Sequence, residues 1–136
     1  MKNVYVDGVF DLFHEGHINF LKKASTFGKL IVGVHDDEFV MSYKRRPFIP
    51  AKSRYAVVKA CKYVDVMIEG VEVLTEEIIN KYEIDLVLHG DDFSYDKAYM
   101  FYSIAMDKGI YQTISYTEGI SSTFLINQIS ERFQNQ

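Results

Sequence analysis

Val4-Tyr5-Val6-Asp7-Gly8-Val9-Phe10-Asp11-Leu12-Phe13-His14-Glu15-Gly16-His17 is the stretch on which the reading of this fold turns. The apolar run Val4–Val6 reads as a β-strand, and a helix starting near Gly16 or His17 carries Phe20, Leu21 and Ala24 on one face. An irregular loop joins them. A helix start leaves free N–H groups and the positive end of the helix dipole facing that loop. Anions gather at such an end, Gly16 lets the backbone approach them, and His14 and His17 at i and i+3 add directed donors. The plainer reading of the same pair is a helix cap and a core residue. Zinc ligation is set aside: the only cysteine, Cys61, falls in an apparent core helix, and no His-Glu-x-x-His pattern occurs.

Outward from this stretch, apolar runs at Val4–Val6, Leu30–Val34, Val64–Ile68, Leu86–Leu88 and Tyr111–Ile114 read as strands. Helical patterns fall between them at His17–Phe27, Ala51–Lys62, Thr75–Tyr82 and Lys97–Lys108, with a last helix from Ser121 to about Phe133. Strands alternating with helices predict an α/β fold with a single doubly wound, parallel, five-stranded sheet. Right-handed crossovers step strands one to three outward, so the chain must return to set strand four beside strand one. The switch point then lies between strands one and four, where ligands bind in such sheets. His14 to His17 and the segment His89-Gly90-Asp91-Asp92 therefore meet at one crevice.

The bulk numbers agree with one domain over residues 1–136: 48% of the 136 residues are hydrophobic, enough for one core. No 18-residue apolar run is available to cross a membrane. A net charge of −4 gives no support to nucleic-acid binding, which needs a basic face. The one basic run is Lys44-Arg45-Arg46, a local anion site. A strand beginning within a few residues of the N-terminus leaves no room for a signal peptide, and a lone cysteine forms no internal disulfide. Both point to the cytoplasm.

The run from Asp7 to His17 contains His-x-Gly-His and resembles the cytidylyltransferases of phosphoethanolamine, phosphocholine and glycerol 3-phosphate. The resemblance covers roughly residues 3 to 130 and implies a Rossmann-like nucleotidyltransferase fold. It implies CTP binding by Gly8, Val9, Phe10, His14, Gly16 and His17. His89-Gly90-Asp91-Asp92 resembles the family's Gly-Asp-Asp segment near the nucleotide, so Gly90, Asp91 and Asp92 join that set. A turn leaving a strand would use the same residues, and adjacent carboxylates would equally help hold Mg²⁺ on a triphosphate. Thr117-Glu118-Gly119-Ile120-Ser121-Ser122-Thr123 resembles Thr-Glu-Gly-Ile-Ser-Thr ahead of the last helix, a second phosphate cradle using Thr117, Gly119, Ile120, Ser121, Ser122 and Thr123. Ser121 is also a natural N-cap. Tyr116 departs from the family, standing where its motif carries arginine and offering one donor without charge.

Lys44, ten residues before Arg54, matches the spacing of the phosphate-binding lysine of choline-phosphate enzymes. Arg54 and Lys62-Tyr63-Val64-Asp65 resemble the Arg-Tyr-Val-Asp element found at dimer interfaces in relatives, which implies a homodimer. The implied reaction is attack of an alcohol's phosphate on the α-phosphorus of CTP, giving a CDP-alcohol and pyrophosphate with Mg²⁺ on the nucleotide. The nucleophile is already an anion, so alignment and charge stabilisation suffice. His14 and His17 are assigned to transition-state and triphosphate oxygens, and Lys44 and Arg45 to the phosphates. Asp7 stands where amino-alcohol relatives carry Asp and glycerol-phosphate relatives an aromatic residue. A carboxylate near a phosphate substrate is costly unless that substrate also brings a cation. Glu72, Glu76 and Glu77, in a segment without lysine, lean the same way, towards phosphoethanolamine or phosphocholine. A polyol phosphate, adenylyl transfer, or a nucleotide-binding protein that has lost turnover are the alternatives.

Overall fold

The computed structural model describes residues 1–115 and 120–134; Tyr116, Thr117 and Gly119 of the expected cradle lie outside the described residues. The chain runs β1 (Asn3–Gly8), α1 (Glu15–Ser25), β2 (Lys29–Val34), α2 (Asp37–Met41), α3 (Ala51–Lys59) and β3 (Val66–Glu69). It continues through α4 (Glu76–Lys81), β4 (Leu86–Gly90), α5 (Tyr95–Asp107), β5 (Tyr111–Ile114) and α6 (Ser122–Gln134). All strand pairs are parallel, in the order β3-β2-β1-β4-β5. The switch point falls between β1 and β4, as the alternation of strands and helices predicts.

The inner strands β1, β2 and β4 carry apolar runs because both sheet faces are covered there, whereas the edge strand β5 reads Tyr-Gln-Thr-Ile with Gln112 and Thr113 exposed. Val4 and Val6 of β1 and Leu30, Val32 and Val34 of β2 join Phe20, Leu21 and Ala24 of α1 on one face. Tyr5, Ile31 and Val87 join Ile79 of α4 and Tyr102 and Ala105 of α5 on the other. Asp7 follows Tyr5 by two residues and so projects towards the α4/α5 side. Its register partner on β2 is Gly33, where an added Cβ would stand 2.6 Å from the Tyr5 hydroxyl. The missing side chain makes room for that hydroxyl, which donates to Asp7 at 2.9 Å.

One element escapes the sequence pattern. α2 is five residues long, too short to show a helical period, and is started by Asp36, whose Oδ1 accepts from Phe39 N at 2.7 Å. It lifts the chain between β2 and α3 over the carboxyl ends of the strands. Under it opens a cleft of about 780 Å³ lined from the loops after β1 and β4, from α2 and α5, and from the start of α6.

Candidate active site

The two histidines close the start of α1 on each other. His14 is the N-cap: its Nδ1 accepts from Gly16 N at 3.0 Å, and His17 Nδ1 accepts from His14 N at 3.1 Å. An Nδ1 that accepts carries no proton, so both neutral rings hold theirs on Nε2. The amides expected to face an anion are thus partly consumed, and the helix start offers imidazole N–H donors in their place. Nε2 of His14 is buried and has no hydrogen-bond partner among the described residues. Such a donor calls for a ligand acceptor. Gly16 has a different task from the expected one. A Cβ there would lie 2.7 Å from Cε1 and 2.9 Å from Nδ1 of His14, so only glycine lets the ring fold over the backbone.

His17 stacks on Phe13 (5.2 Å between centroids, 10° between planes) and packs against Phe10 at 5.7 Å. Burial, then the charge that His14 would carry, pushes its pKa down to about 4; burial also lowers that of His14. Both rings are neutral donors at physiological pH. The unfolded chain takes up a proton on each histidine near pH 6.5, whereas folded His17 does so only near pH 4. The unfolded state therefore binds more protons between these values, and stability rises with pH across that window. The His17 penalty grows below pH 6.5 to about 3 kcal/mol at most. Urea titrations at pH 5 and 7 will show a smaller pH dependence in His17→Asn, whose amide oxygen keeps the acceptor for His14 N; an unchanged dependence contradicts the burial argument.

The loop carrying these rings is pinned from below. Phe10 and Leu12 adopt left-handed φ angles of 55° and 51°, a strained form for side-chain-bearing residues that needs support. Asp11, buried between them, accepts from Phe48 N and Ile49 N at 2.9 Å each and from Arg45 Nη1 at 3.2 Å. Burial pushes its carboxyl up, but these donors outweigh it and hold it below the usual value. Arg54 is fully enclosed. It donates to Ile49 O at 2.9 Å, Val9 O at 2.7 Å, His35 O at 2.8 Å and Asp37 Oδ1 at 2.7 Å. The resemblance grouped Arg54 with a dimer-interface element; at 1% exposure it works inside the fold, tying the loops after β1 and β2 together. Asp11 has no mark in the sequence, because a lone Asp in a loop has no periodic or motif signal.

Asp7 forms the opposite pole of the cleft. It is buried, and it accepts from Tyr5 at 2.9 Å and from Tyr102 through a short hydrogen bond. Burial and then the Asp7 charge raise both phenols well above the ordinary tyrosine value, so they stay protonated donors. Among the described residues no Lys or Arg lies within 4.0 Å of Asp7; the nearest basic nitrogen is His35 Nε2 at 3.9 Å. Aromatic rings surround this pole: His35–Phe39 (4.9 Å), Tyr43–Phe101 (5.2 Å) and His89–Tyr102 (5.2 Å). Glu72, Glu76 and Glu77 do not share it. Glu76 pairs with Lys108 at 3.0 Å on the surface, so the substrate argument rests on Asp7 alone.

Lys44 and Arg45 stand at the cleft wall after α2. Crowding by protein, then the charges of Arg45 and Lys97, lower the Lys44 ammonium below its ordinary value, against a weaker pull from Asp11 and Asp92. Arg45 is tied to Asp11 and lies over the Phe48 ring at 4.9 Å. Gly8, Val9, Asp92, Ile120, Ser121 and Ser122 also reach the wall, whereas Gly90, Asp91 and Thr123 sit off it. Ser121 Oγ accepts from Phe124 N at 3.0 Å, so it is indeed the cap of α6, with its own O–H left to donate. Ser122 Oγ donates to Asp11 O at 2.8 Å, locking α6 to the β1–α1 loop.

One cleft thus joins neutral imidazole donors to a buried carboxylate at the β1/β4 switch point, and the sequence model of the "Cytidylyltransferase-like" family matches residues 5–128. The chain belongs to the cytidylyltransferase-like family. It is 40% identical over 129 residues to an ethanolamine-phosphate cytidylyltransferase of Dictyostelium discoideum, covering 93% of this chain and 36% of that one. It is 37% identical over 132 residues to choline-phosphate cytidylyltransferase A of Mus musculus, covering 93% and 36%. The chain therefore spans about a third of the length of these relatives. Among solved structures, a lipopolysaccharide core biosynthesis protein from Thermoplasma volcanium GSS1 superposes with a TM-score of 0.73 at 30% identity, over 87% of this chain and 99% of that one. The fold alone is shared with a putative nicotinate-nucleotide adenylyltransferase from Vibrio parahaemolyticus (TM-score 0.61, 19% identity, over 96% and 88%). No helix among the described residues is long and apolar enough to cross a membrane.

Proposed function

We propose that this cytidylyltransferase-like chain transfers CMP from CTP to an amino-alcohol phosphate of the phosphoethanolamine or phosphocholine type. The observation that carries this reading is Asp7: a buried carboxylate, held among the described residues by two phenols, in the same cleft as the His14 and His17 donors. A buried charge without a countercharge is costly. A substrate with an ammonium at one end and a phosphate at the other fits both poles; a polyol phosphate brings Asp7 no countercharge.

In this reading a phosphate oxygen forms a bond to the α-phosphorus of CTP while the bond to pyrophosphate breaks. No base is needed, and the depressed pKa values of His14 and His17 suit donors rather than acids. Their Nε2–H groups steady the phosphoryl oxygens, and Lys44 brings charge to both substrates' phosphates. Mg²⁺ supplies charge neutralisation on the triphosphate when bound. Asp92, which lines the cleft, is the carboxylate that would face such an ion, phosphate and water oxygens supplying the rest of its ligands. The resemblance adds a homodimer.

The test is pyrophosphate release from CTP and from ATP with phosphoethanolamine, phosphocholine and glycerol 3-phosphate as acceptors. CTP with an amino-alcohol phosphate is expected to lead. Asp7→Asn should narrow the preference over glycerol 3-phosphate by about 10-fold or more, the worth of a hydrogen bond to a charged group. Preference for ATP, or no pyrophosphate with any acceptor, defeats the reading.

A further inference from the structure

We propose that His35 makes this cleft select a primary ammonium over a quaternary one, through a bare ring nitrogen that shares the substrate's N–H donors with Asp7. The inference rests on the amino-alcohol reading and narrows it to phosphoethanolamine. His35 follows β2 directly, is 6% exposed, and lines the cleft. Its Nδ1 lies 2.6 Å from Val71 O. A carbonyl oxygen only accepts, so Nδ1 carries the proton, and in the neutral ring Nε2 presents a lone pair. That lone pair faces Asp7 Oδ1 at 3.9 Å, beyond hydrogen-bond distance. Among the described residues no donor reaches Nε2.

Two acceptors thus flank one point in the cleft, and only a multiple donor satisfies both. A nitrogen at about 2.8 Å from each would see them about 90° apart, close enough to the N–H directions of an ammonium for two slightly bent hydrogen bonds. Asp7 has capacity for this, since its two tyrosine partners use two of about four lone-pair sites. Phe39, against the ring at 4.9 Å, and Val71 fix its orientation. A trimethylammonium group has no N–H. It would still meet Asp7 and the aromatic rings by charge, but it would leave Nε2 desolvated and unpaired. Sites that hydrogen-bond a substrate N–H reject analogues that lack it far better than apolar pockets reject one methyl group.

The experiment measures kcat/KM for phosphoethanolamine, its mono- and dimethyl derivatives, and phosphocholine, in wild type, His35→Asn and His35→Gln, with KM for CTP and the melting temperature alongside. Asn keeps the donor to Val71 O and removes the Nε2 acceptor; Gln places an amide oxygen near the Nε2 position. In wild type kcat/KM is expected to fall as each N–H is methylated. In His35→Asn, phosphoethanolamine should lose about 10–100-fold with phosphocholine and KM for CTP little changed, and His35→Gln should recover part of the loss. An equal loss for both acceptors, or a gain for phosphoethanolamine in His35→Asn, which an imidazolium repelling the ammonium would give, overturns the assignment to His35. A wild-type preference for phosphocholine also overturns it while leaving the amino-alcohol reading intact. Wild-type preference for glycerol 3-phosphate instead marks the failure of that underlying reading.

Discussion

His17→Asn is expected to lower turnover by about 10²–10³-fold, the loss typical of one directed donor to a developing oxyanion, without unfolding the protein. The substitution keeps an acceptor for His14 N, so the start of α1 stays closed, and it removes the Nε2–H together with the ring that stacks on Phe13. His14→Asn should behave alike, because an amide oxygen near the Nδ1 position still accepts from Gly16 N at the cap. Two features set the size of the effect. The rings are held 4.0 Å apart by reciprocal backbone bonds, so they need no reorganisation. Both are also neutral, so neither repels the other at pH 7. Steady-state kinetics with melting temperatures check this: kcat should fall far more than KM for CTP, with the melting temperature nearly constant. Near-normal turnover in both variants would refute the role.

Arg54→Ala is expected to cost about 3–5 kcal/mol of folding stability, the range for stripping one partner from a buried charged network. Three backbone carbonyls, of Val9, His35 and Ile49, and the Asp37 carboxylate lose their donor together. Against a total stability of about 5–15 kcal/mol for an ordinary domain, this removes between about a fifth and all of it. Arg54→Lys should recover little, because one ammonium cannot reproduce a planar fork reaching four acceptors on three segments. Urea midpoints at pH 7 measure it; a loss under about 1 kcal/mol would mean that the loops after β1 and β2 hold themselves. Lys44→Ala should do the opposite, leaving stability nearly unchanged while raising KM and lowering kcat, since among the described residues Lys44 makes no ion pair.

The fold was legible in the sequence because β1 to β4 carry apolar runs that alternate with helical patterns, and right-handed crossovers then leave one strand order. Strand ends shifted by a residue or two, as at β3, which begins at Val66 rather than Val64. α2 was illegible because five residues carry no period. The site divides in the same way. His14, Gly16 and His17 announce themselves by spacing, although only the structure reveals that the pair caps its own helix and that Gly16 makes room for an imidazole. Arg54 and Asp11 are satisfied by backbone groups distant in sequence, and nothing local marks such a residue. His35 carried no motif either; its meaning comes from Val71 O on one side and Asp7 on the other, 36 and 28 residues away.

A one-tube competition tests whether the cleft has an anion pole at His14 and His17 and a cation pole at Asp7. The protein is given CTP, Mg²⁺ and equal amounts of phosphoethanolamine and glycerol 3-phosphate, and the nucleotide products are identified by mass. Early product ratios then equal the ratio of specificity constants. The two-pole cleft predicts CDP-ethanolamine in excess of about 10-fold over CDP-glycerol, the margin of one charge-assisted hydrogen bond. CDP-glycerol as the main product, or unchanged CTP, would contradict it.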